Sequence, residues 1–167
     1  MKYTPRTEEQ ALLKAKFEEF IAQHPDAYLR SNLERHITAS AFVIDQDKIL
    51  LIHHRKLNKW LQPGGHCDGE TDTLAVAIKE VEEETGVRIL AQDQPIIDLD
   101  IHQIPERKGI PAHDHYDVRY LLEADARLPP LQNHETLDLR WIPLSEIEQY
   151  TTEESILRVT RQINLGN

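Results

Sequence analysis

The chain has 167 residues, and its 29 Asp and Glu outnumber its 19 Lys and Arg, which gives a formal net charge of −10. Hydrophobic residues make up 40% of the sequence and charged residues 29%, as in one globular domain and unlike collagen-like, low-complexity or disordered chains. The acidic balance argues against nucleic acid as a partner, because binding to a phosphate backbone needs clustered Lys and Arg.

The compartment is predicted from the cysteine count and from the chain start. Cys67 is the single cysteine, which excludes an intrachain disulfide and suits a reducing compartment. The opening MKYTPRTEEQ lacks the apolar core of a signal peptide, and no stretch approaches the roughly 18 apolar residues that a membrane span needs. We therefore expect a cytoplasmic protein with no membrane partner.

The first part of the chain predicts a helix and then a β-hairpin. Apolar residues near helical spacing indicate an amphipathic helix over 7–23, with Thr7 as its N-cap. Two runs rich in Ile, Val, Phe and Thr, 36–44 and 48–54, flank the polar interval Asp45-Gln46-Asp47. Such an interval favours a tight turn, so we expect the two runs to pair as a hairpin.

The second half predicts strands followed by helices. Residue alternation indicates strands over 96–104, 113–124 and 137–142. A short helix is expected over 143–148, and 152–163 has the pattern of a last amphipathic helix. The sequence contains no repeat or linker, so we predict one domain over 1–167. Its fold class is α/β, with helices covering both faces of a mixed sheet.

Between these halves, a loop through Pro63-Gly64-Gly65 leads into a helix predicted over 73–85 and closed by Gly86. An apolar stripe would seat this helix on the sheet. Beside the stripe lies a row of carboxylates, because residues spaced i, i+3 and i+4 share an arc of roughly 100°. The three carboxylates are those of Glu80, Glu83 and Glu84.

These three carboxylates destabilise the helix that carries them. Like charges at i and i+4 cost about 0.2 to 0.5 kcal/mol per pair, and anions in the last turn face the negative end of the helix dipole. A divalent cation would remove both penalties, and clustered carboxylates suit Mg²⁺ or Mn²⁺. A glutamate run is more often a solvated face, but the adjoining diglycine loop and the glycine cap favour a metal site.

Residues 65–87 resemble the Nudix box, whose pattern is Gly, five residues, Glu, seven residues and then Arg-Glu-U-x-Glu-Glu-x-Gly-U, with U an aliphatic residue. Two departures stand out. Lys79 replaces the arginine and loses its bidentate geometry, and Thr71 replaces the isolated glutamate, with Glu70 one residue early. With a loop one residue shorter, Glu70 and Lys79 would still form an ion pair. The positions that match in register are Gly65, Glu80, Val81, Glu83, Glu84, Gly86 and Val87.

The resemblance implies an α/β/α sandwich of the Nudix type and a metal-dependent pyrophosphohydrolase. Such an enzyme uses Mg²⁺ or Mn²⁺ to cleave a diphosphate linkage in a nucleoside diphosphate derivative or a nucleoside triphosphate. By position, Glu80 and Glu84 would be the main metal ligands. Glu83 would be a further ligand or would orient water, and the Gly64 carbonyl would be another ligand. Dimers are common in the family, so the resemblance leaves a homodimer open.

A downstream carboxylate near the metals serves many Nudix proteins as a ligand or general base. Glu135 is the candidate here, because it lies in a polar loop just before 137–143, which is similar to the closing strand of the family. The alternative for Glu135 is an exposed loop glutamate with no catalytic role.

Histidines and basic residues are the candidates for substrate binding. His66 follows the diglycine, and Arg55 precedes it in a basic stretch suited to phosphate. Arg119 lies on a strand candidate. His113 and His115 would share one face of that strand and could present a ligand pair, although ordinary strand residues near a polar pocket are the commoner case. We therefore predict substrate contacts from Arg55, His66, His115 and Arg119.

Three functions fit the sequence. The first is the metal-dependent hydrolase, with a small phosphoanhydride, such as a nucleotide, as its partner. The second is a Nudix-like module that senses a nucleotide without cleaving it; the departures at Lys79 and Thr71 are its only support. The third is an isomerase of a diphosphate ester on the same fold, which would leave the diphosphate whole.

Overall fold

The computed structural model describes residues 1–90, 94–131 and 136–166. Within these ranges the chain forms three α-helices, seven strands and one short 3-10 helix over Leu144–Gln149. In chain order the other elements are α1 (Glu8–Gln23), β1 (Arg35–Asp45), β2 (Lys48–His54), β3 (Lys59–Leu61), β4 (Gly64–His66), α2 (Thr73–Thr85), β5 (Ile96–Ile104), β6 (His113–Glu123), β7 (Thr136–Pro143) and α3 (Glu154–Gly166).

The helix ends follow from local side-chain chemistry. The Thr7 side chain accepts a hydrogen bond from the Gln10 backbone N–H at 3.2 Å, as predicted for an N-cap. Asp72 caps α2 in the same way through the Ala75 N–H at 3.1 Å. Gly86 ends α2 with a φ of 68°, a left-handed conformation that glycine adopts without steric penalty. The ends of α2 therefore lie where the sequence predicts them.

The strands form one mixed sheet with the order β3-β2-β1-β6-β5, to which β4 adds on β1 and β7 adds on β2. The parallel pair is β1 with β6, and the other pairs are antiparallel. The register of the parallel pair sets His36 beside His115 and Thr38 beside Asp117. This pair places distant parts of the chain side by side in the middle of the sheet.

Each face of the sheet packs against helices. Alternate residues of β1, such as Ile37 and Ala39, belong to a buried cluster with residues of α1 and α2. Phe42, of the opposite parity, packs in a second cluster with Ile156 and Val159 of α3. Because successive strand residues point to opposite faces, the two clusters lie on opposite sides of the sheet. The predicted α/β fold with a mixed sheet between helices is confirmed.

The loop predicted through Pro63-Gly64-Gly65 is different in the structure. Its two glycines belong to the three-residue strand β4, and another three-residue strand, β3, ends at Leu61, just before the intervening pair Gln62-Pro63. Gly64 and Gly65 pair with Ser40 and Ala39 of β1, so a segment without side-chain alternation still extends the sheet through its backbone. Strands this short carry no periodic signal in the sequence. None of the described helices is long and apolar enough to cross a membrane.

Candidate metal and substrate site

The diglycine strand β4 lies directly against the carboxylate face of α2. A Cβ atom placed on Gly65 would come within 2.6 Å of the Glu80 carboxyl carbon. The Gly64 backbone N–H donates a hydrogen bond to Glu84 Oε2 at 3.0 Å. Glu84 is only 7% exposed, so a buried carboxylate and a half-buried one meet at this junction.

Packing explains why these two glutamates face β4. Val76, Ala77 and Val81 of α2 are buried in the cluster that includes β1, and β4 is the antiparallel partner of β1. The apolar stripe thus fixes the rotation of α2, and residues spaced i and i+4 on its edge reach the neighbouring strand. A side chain at position 65 would displace the Glu80 carboxylate, because its Cβ would lie 2.6 Å from the Glu80 carboxyl carbon.

Glu83 lies on the solvent side of the same helix. Its side chain is 59% exposed and forms an ion pair with Lys79 at 3.5 Å, one turn earlier. The expected ion pair between Lys79 and Glu70 is replaced by this contact within the described chain. Glu70 instead accepts a hydrogen bond from the Asp72 backbone N–H at 2.8 Å, which places its carboxylate in the turn before α2.

The donor set at this junction suits a hard divalent cation. Glu80 and Glu84 offer carboxylate oxygens from one helix face, next to the backbone of Gly64 and Gly65. Oxygen ligands of this kind favour Mg²⁺ or Mn²⁺ over softer metals. The junction therefore fits the metal predicted for it, and Glu80 and Glu84 are the side chains that could hold it.

Histidines gather on the other face of β4. His66 points away from α2, because it follows Gly65 in an extended strand. Its ring centroid lies 5.1 Å from the rings of both His36 and His115. His113 stacks on His36 at 5.0 Å, and His102 meets His115 edge-on at 5.4 Å. Five imidazoles from four strands thus form one cluster.

Burial keeps two of these rings neutral. It lowers the pKa of His66 to about 4, with further lowering by Arg30 and His36. It lowers the pKa of His115 to about 2, with further lowering by the neighbouring histidines. Both predicted substrate residues therefore present uncharged imidazoles at neutral pH.

A buried charge network continues from the histidines along the same face of the sheet. Arg119 is 2% exposed, and its guanidinium donates to Asp98, Asp100 and Asp117 at 3.3, 2.9 and 2.9 Å. Arg158 of α3 donates to Asp98 and Asp100 at 2.6 and 2.7 Å. Burial alone would raise the pKa of Asp100, but the hydrogen bond from His102 and the two arginine charges together hold it well below its usual range.

Sequence reasoning missed most of this network. Asp98 and Asp100 lie two residues apart in a strand that is otherwise largely apolar, and Asp117 and Arg119 repeat that spacing in β6. Charged residues that alternate inside a predicted strand are the signal that could have revealed it. Arg119 was expected to bind substrate; the structure surrounds it with carboxylates, and its contact with substrate stays a prediction.

The remaining predicted residues lie at the end of β2 and beyond it. Arg55 directly follows β2 and donates to the Thr136 carbonyl at 3.2 Å, at the start of β7. Glu135 lies outside the described residues. Cys67 is buried, and burial raises the pKa of its thiol to about 12, with further raising by nearby carboxylates. A thiol with so high a pKa is a poor nucleophile at neutral pH.

Comparison with known proteins agrees with this geometry. The NUDIX domain family model matches residues 34–163, which is most of the chain, and the chain belongs to this family. A Lactococcus lactis protein named "Probable DHNTP pyrophosphohydrolase" is 35% identical over 96 residues, covering 56% of this chain and 57% of that protein. The match thus spans little more than half of the relative. The predicted membership of the Nudix family is confirmed.

Solved structures give the same fold. A NUDIX-family hydrolase from Clostridium perfringens superposes with a TM-score of 0.63 at 22% identity, over 80% of this chain and 99% of that one. The dihydroneopterin triphosphate pyrophosphohydrolase of E. coli superposes with a TM-score of 0.59 at 16% identity, over 78% of this chain and 96% of that one. At these identities the likeness concerns the fold alone.

Proposed function

We propose that the protein is a Mg²⁺- or Mn²⁺-dependent pyrophosphohydrolase that cleaves a diphosphate linkage in a nucleoside diphosphate derivative or a nucleoside triphosphate. One observation carries the proposal: the carboxylates of Glu80 and Glu84 converge on the glycine backbone of β4. Two like charges held together at a buried junction repel each other, and a bound divalent cation would offset that repulsion.

The chain's own residues would divide the work as follows. Glu80 and Glu84 would hold the cation together with the Gly64 carbonyl. When bound, the cation would neutralise the diphosphate and lower the pKa of a water ligand. Glu83, which is exposed at the helix edge, would hold water in line with the phosphorus or add a further ligand. Catalysis would rest on positioning and electrostatics.

Residues around the junction would bind the rest of the substrate. We retain Arg55 and Arg119 as proposed phosphate contacts, and His66 and His115 as proposed contacts from the histidine face. Glu135 stays a predicted general base or ligand. Arg119 already donates hydrogen bonds to three aspartates. It could therefore contact the substrate phosphate only if one of these hydrogen bonds were broken.

The relatives suggest which substrates to try first. The Lactococcus lactis relative is named for DHNTP, so a pterin triphosphate belongs beside nucleoside triphosphates in the panel. A homodimer and a cytoplasmic location also stay proposals. Size-exclusion chromatography with light scattering would test the first, and cell fractionation would test the second.

The deciding experiment is a substrate screen with Mg²⁺ and with Mn²⁺. The panel holds nucleoside triphosphates, dihydroneopterin triphosphate, nucleotide sugars, ADP-ribose and dinucleoside polyphosphates, and both products of each cleavage are measured. We expect one class to be cleaved, with turnover abolished by EDTA and by Glu84→Gln. Glu82→Gln is the matched control, because Glu82 is exposed and lies outside the carboxylate face of α2.

Other outcomes would point elsewhere. Full turnover in a folded Glu84→Gln variant would contradict the metal role of Glu84. Conversion of a substrate with its diphosphate left whole would indicate the isomerase. Tight Mn²⁺ and nucleotide binding without any product would indicate the sensing module.

A further inference from the structure

A second cluster of metal-ligating side chains lies on the opposite face of β4 from the glutamates. His36 of β1 and His115 of β6 are register partners in the parallel pair. His66 of β4 is the partner of Thr38, two residues along β1 from His36. Side chains two residues apart on a strand share a face, so three strands direct one imidazole each to the same place.

The ligand atoms of these three rings converge. One ring nitrogen from each of His36, His66 and His115 lies within 4.8 Å of the others. In an ideal tetrahedral zinc site the nitrogens are about 3.4 Å apart, since Zn–N bonds are about 2.0 to 2.1 Å. Small rotations of the side chains would close this difference without moving the strands.

Two of the three rings carry buried nitrogens that the described part of the chain leaves without a hydrogen bond, His36 Nε2 and His115 Nε2. An unsatisfied buried polar group costs about 1 to 3 kcal/mol, so two of them in contacting rings require an explanation. A metal ion coordinated by both nitrogens would remove the penalty at each.

The His36 ring is also held in the orientation that a ligand needs. Its Nδ1 lies 3.0 Å from the Asn32 carbonyl oxygen. A carbonyl only accepts, so Nδ1 carries the proton and Nε2 is left with its lone pair. Metal-binding histidines commonly have this arrangement, in which a backbone carbonyl fixes the tautomer from behind.

We propose that His36, His66 and His115 form a zinc-class transition-metal site with a fourth position open to water or another ligand. Three imidazoles without a carboxylate favour Zn²⁺ over Mg²⁺, which prefers oxygen. The glutamates of α2, on the other face of β4, have the opposite preference. The two sites would therefore select different metals, and a contact of His66 and His115 with substrate would be made through the open fourth position of the ion.

The neighbouring histidines complete the surroundings of the site. His113 Nδ1 is 2.8 Å from the Pro111 carbonyl oxygen, and His102 Nδ1 is 3.0 Å from Asp100 Oδ2. These contacts hold both rings around the three proposed ligands. His102 also links the site to the buried arginine network through Asp100.

Zinc titration of the whole protein by calorimetry tests the proposal, with millimolar Mg²⁺ present to occupy the glutamates. We expect one Zn²⁺ per chain. His66→Ala should lower the zinc affinity by at least about 100-fold, because loss of a residue that only supports a ligand lowers metal affinity by up to about 100-fold. His24→Ala is the matched control, because His24 lies at the end of α1, away from the cluster. Glu84→Gln must leave zinc affinity unchanged.

Cobalt provides an independent readout in the unmodified protein. Co²⁺ bound by three imidazoles in a four-coordinate site gives intense visible absorption, which Zn²⁺ should displace. Should His66→Ala fail to fold, His115→Gln is tested by the same titration. Absence of stoichiometric zinc binding, zinc binding that survives either substitution, or zinc binding lost in Glu84→Gln would each overturn the proposal.

Discussion

Substitution of Gly65 by alanine would show whether Glu80 holds the metal. The new methyl group would lie 2.6 Å from the Glu80 carboxyl carbon, whereas ordinary contacts begin at 3.4 Å. The obstacle is the end of a flexible side chain, so the carboxylate must retreat by roughly 1 Å while the backbone stays in place. Because a misplacement of about 1 Å can cost 10²-fold, we expect kcat/KM to fall about 100-fold and Mn²⁺ affinity to fall with it.

Gly64→Ala is the matched variant, and it should lower the thermal stability of the protein. Its methyl group would lie 2.4 Å from Ser40 Cβ and 2.7 Å from the Ala39 carbonyl oxygen. These atoms belong to the paired strand β1, which cannot move without disturbing the sheet. Overpacking of this kind costs about 1 to 3 kcal/mol, which lowers the Tm of a domain of this size by about 3 to 10 °C.

The assay combines thermal melting with turnover and with Mn²⁺ binding followed by electron paramagnetic resonance. Gly65→Ala should keep the Tm within about 2 °C of the original, less than 1 kcal/mol for such a domain, while turnover collapses. Unchanged turnover and unchanged Mn²⁺ affinity in Gly65→Ala would refute the role of Glu80. An unchanged Tm in Gly64→Ala would refute the close packing of β4 on β1.

Three further predictions concern the charge network and the end of α2. The pKa of Asp100 is lower in the folded state than in the unfolded one. Its contribution to stability is therefore complete above about pH 4 and is lost as the pH falls further. Urea unfolding from pH 6 to pH 2 should show this loss, and Asp100→Asn should reduce the dependence of the unfolding free energy on pH. Arg119→Met removes one of the two arginines that pair with Asp98 and Asp100 and the arginine that pairs with Asp117. It should cost about 3 to 5 kcal/mol in the same assay, and a loss under 1 kcal/mol would contradict its structural role. Gly86→Ala places a methyl group 2.8 Å from Leu131 Cβ at a positive φ. It should cost about 1 to 3 kcal/mol, measured as a lower Tm. Gly109→Ala is the control for left-handed strain alone, because no atom lies within 4 Å of its added Cβ.

The carboxylate site could be predicted from the sequence because its determinants are local. Helical periodicity, the Gly86 cap and the spacing of Glu80 and Glu84 all lie within one short segment. The structure adds only the partner strand, and even that strand adjoins the helix in sequence. Short-range geometry therefore specifies this half of the candidate site.

The histidine cluster could be predicted only in part, because distant segments build it. Sequence alternation predicted that His113 and His115 share a face, and their rings lie 5.2 Å apart. His36 was not singled out, since its neighbour across the sheet is His115, 79 positions later. A single sequence does not reveal which strands pair in parallel, so the convergence with His66 required the structure.

The parallel pairing of β1 with β6 also affects the order in which the molecule folds. The hairpin of β1 with β2 closes across two residues, from Asp45 to Lys48, whereas the β1–β6 register joins residues about 79 positions apart. Closing such a long loop is costly in entropy and slow, so local hairpins and helices should form first. His36 and His115 would meet only in the last stage of folding. A metal that binds there would therefore leave the folding rate nearly unchanged and would slow unfolding instead.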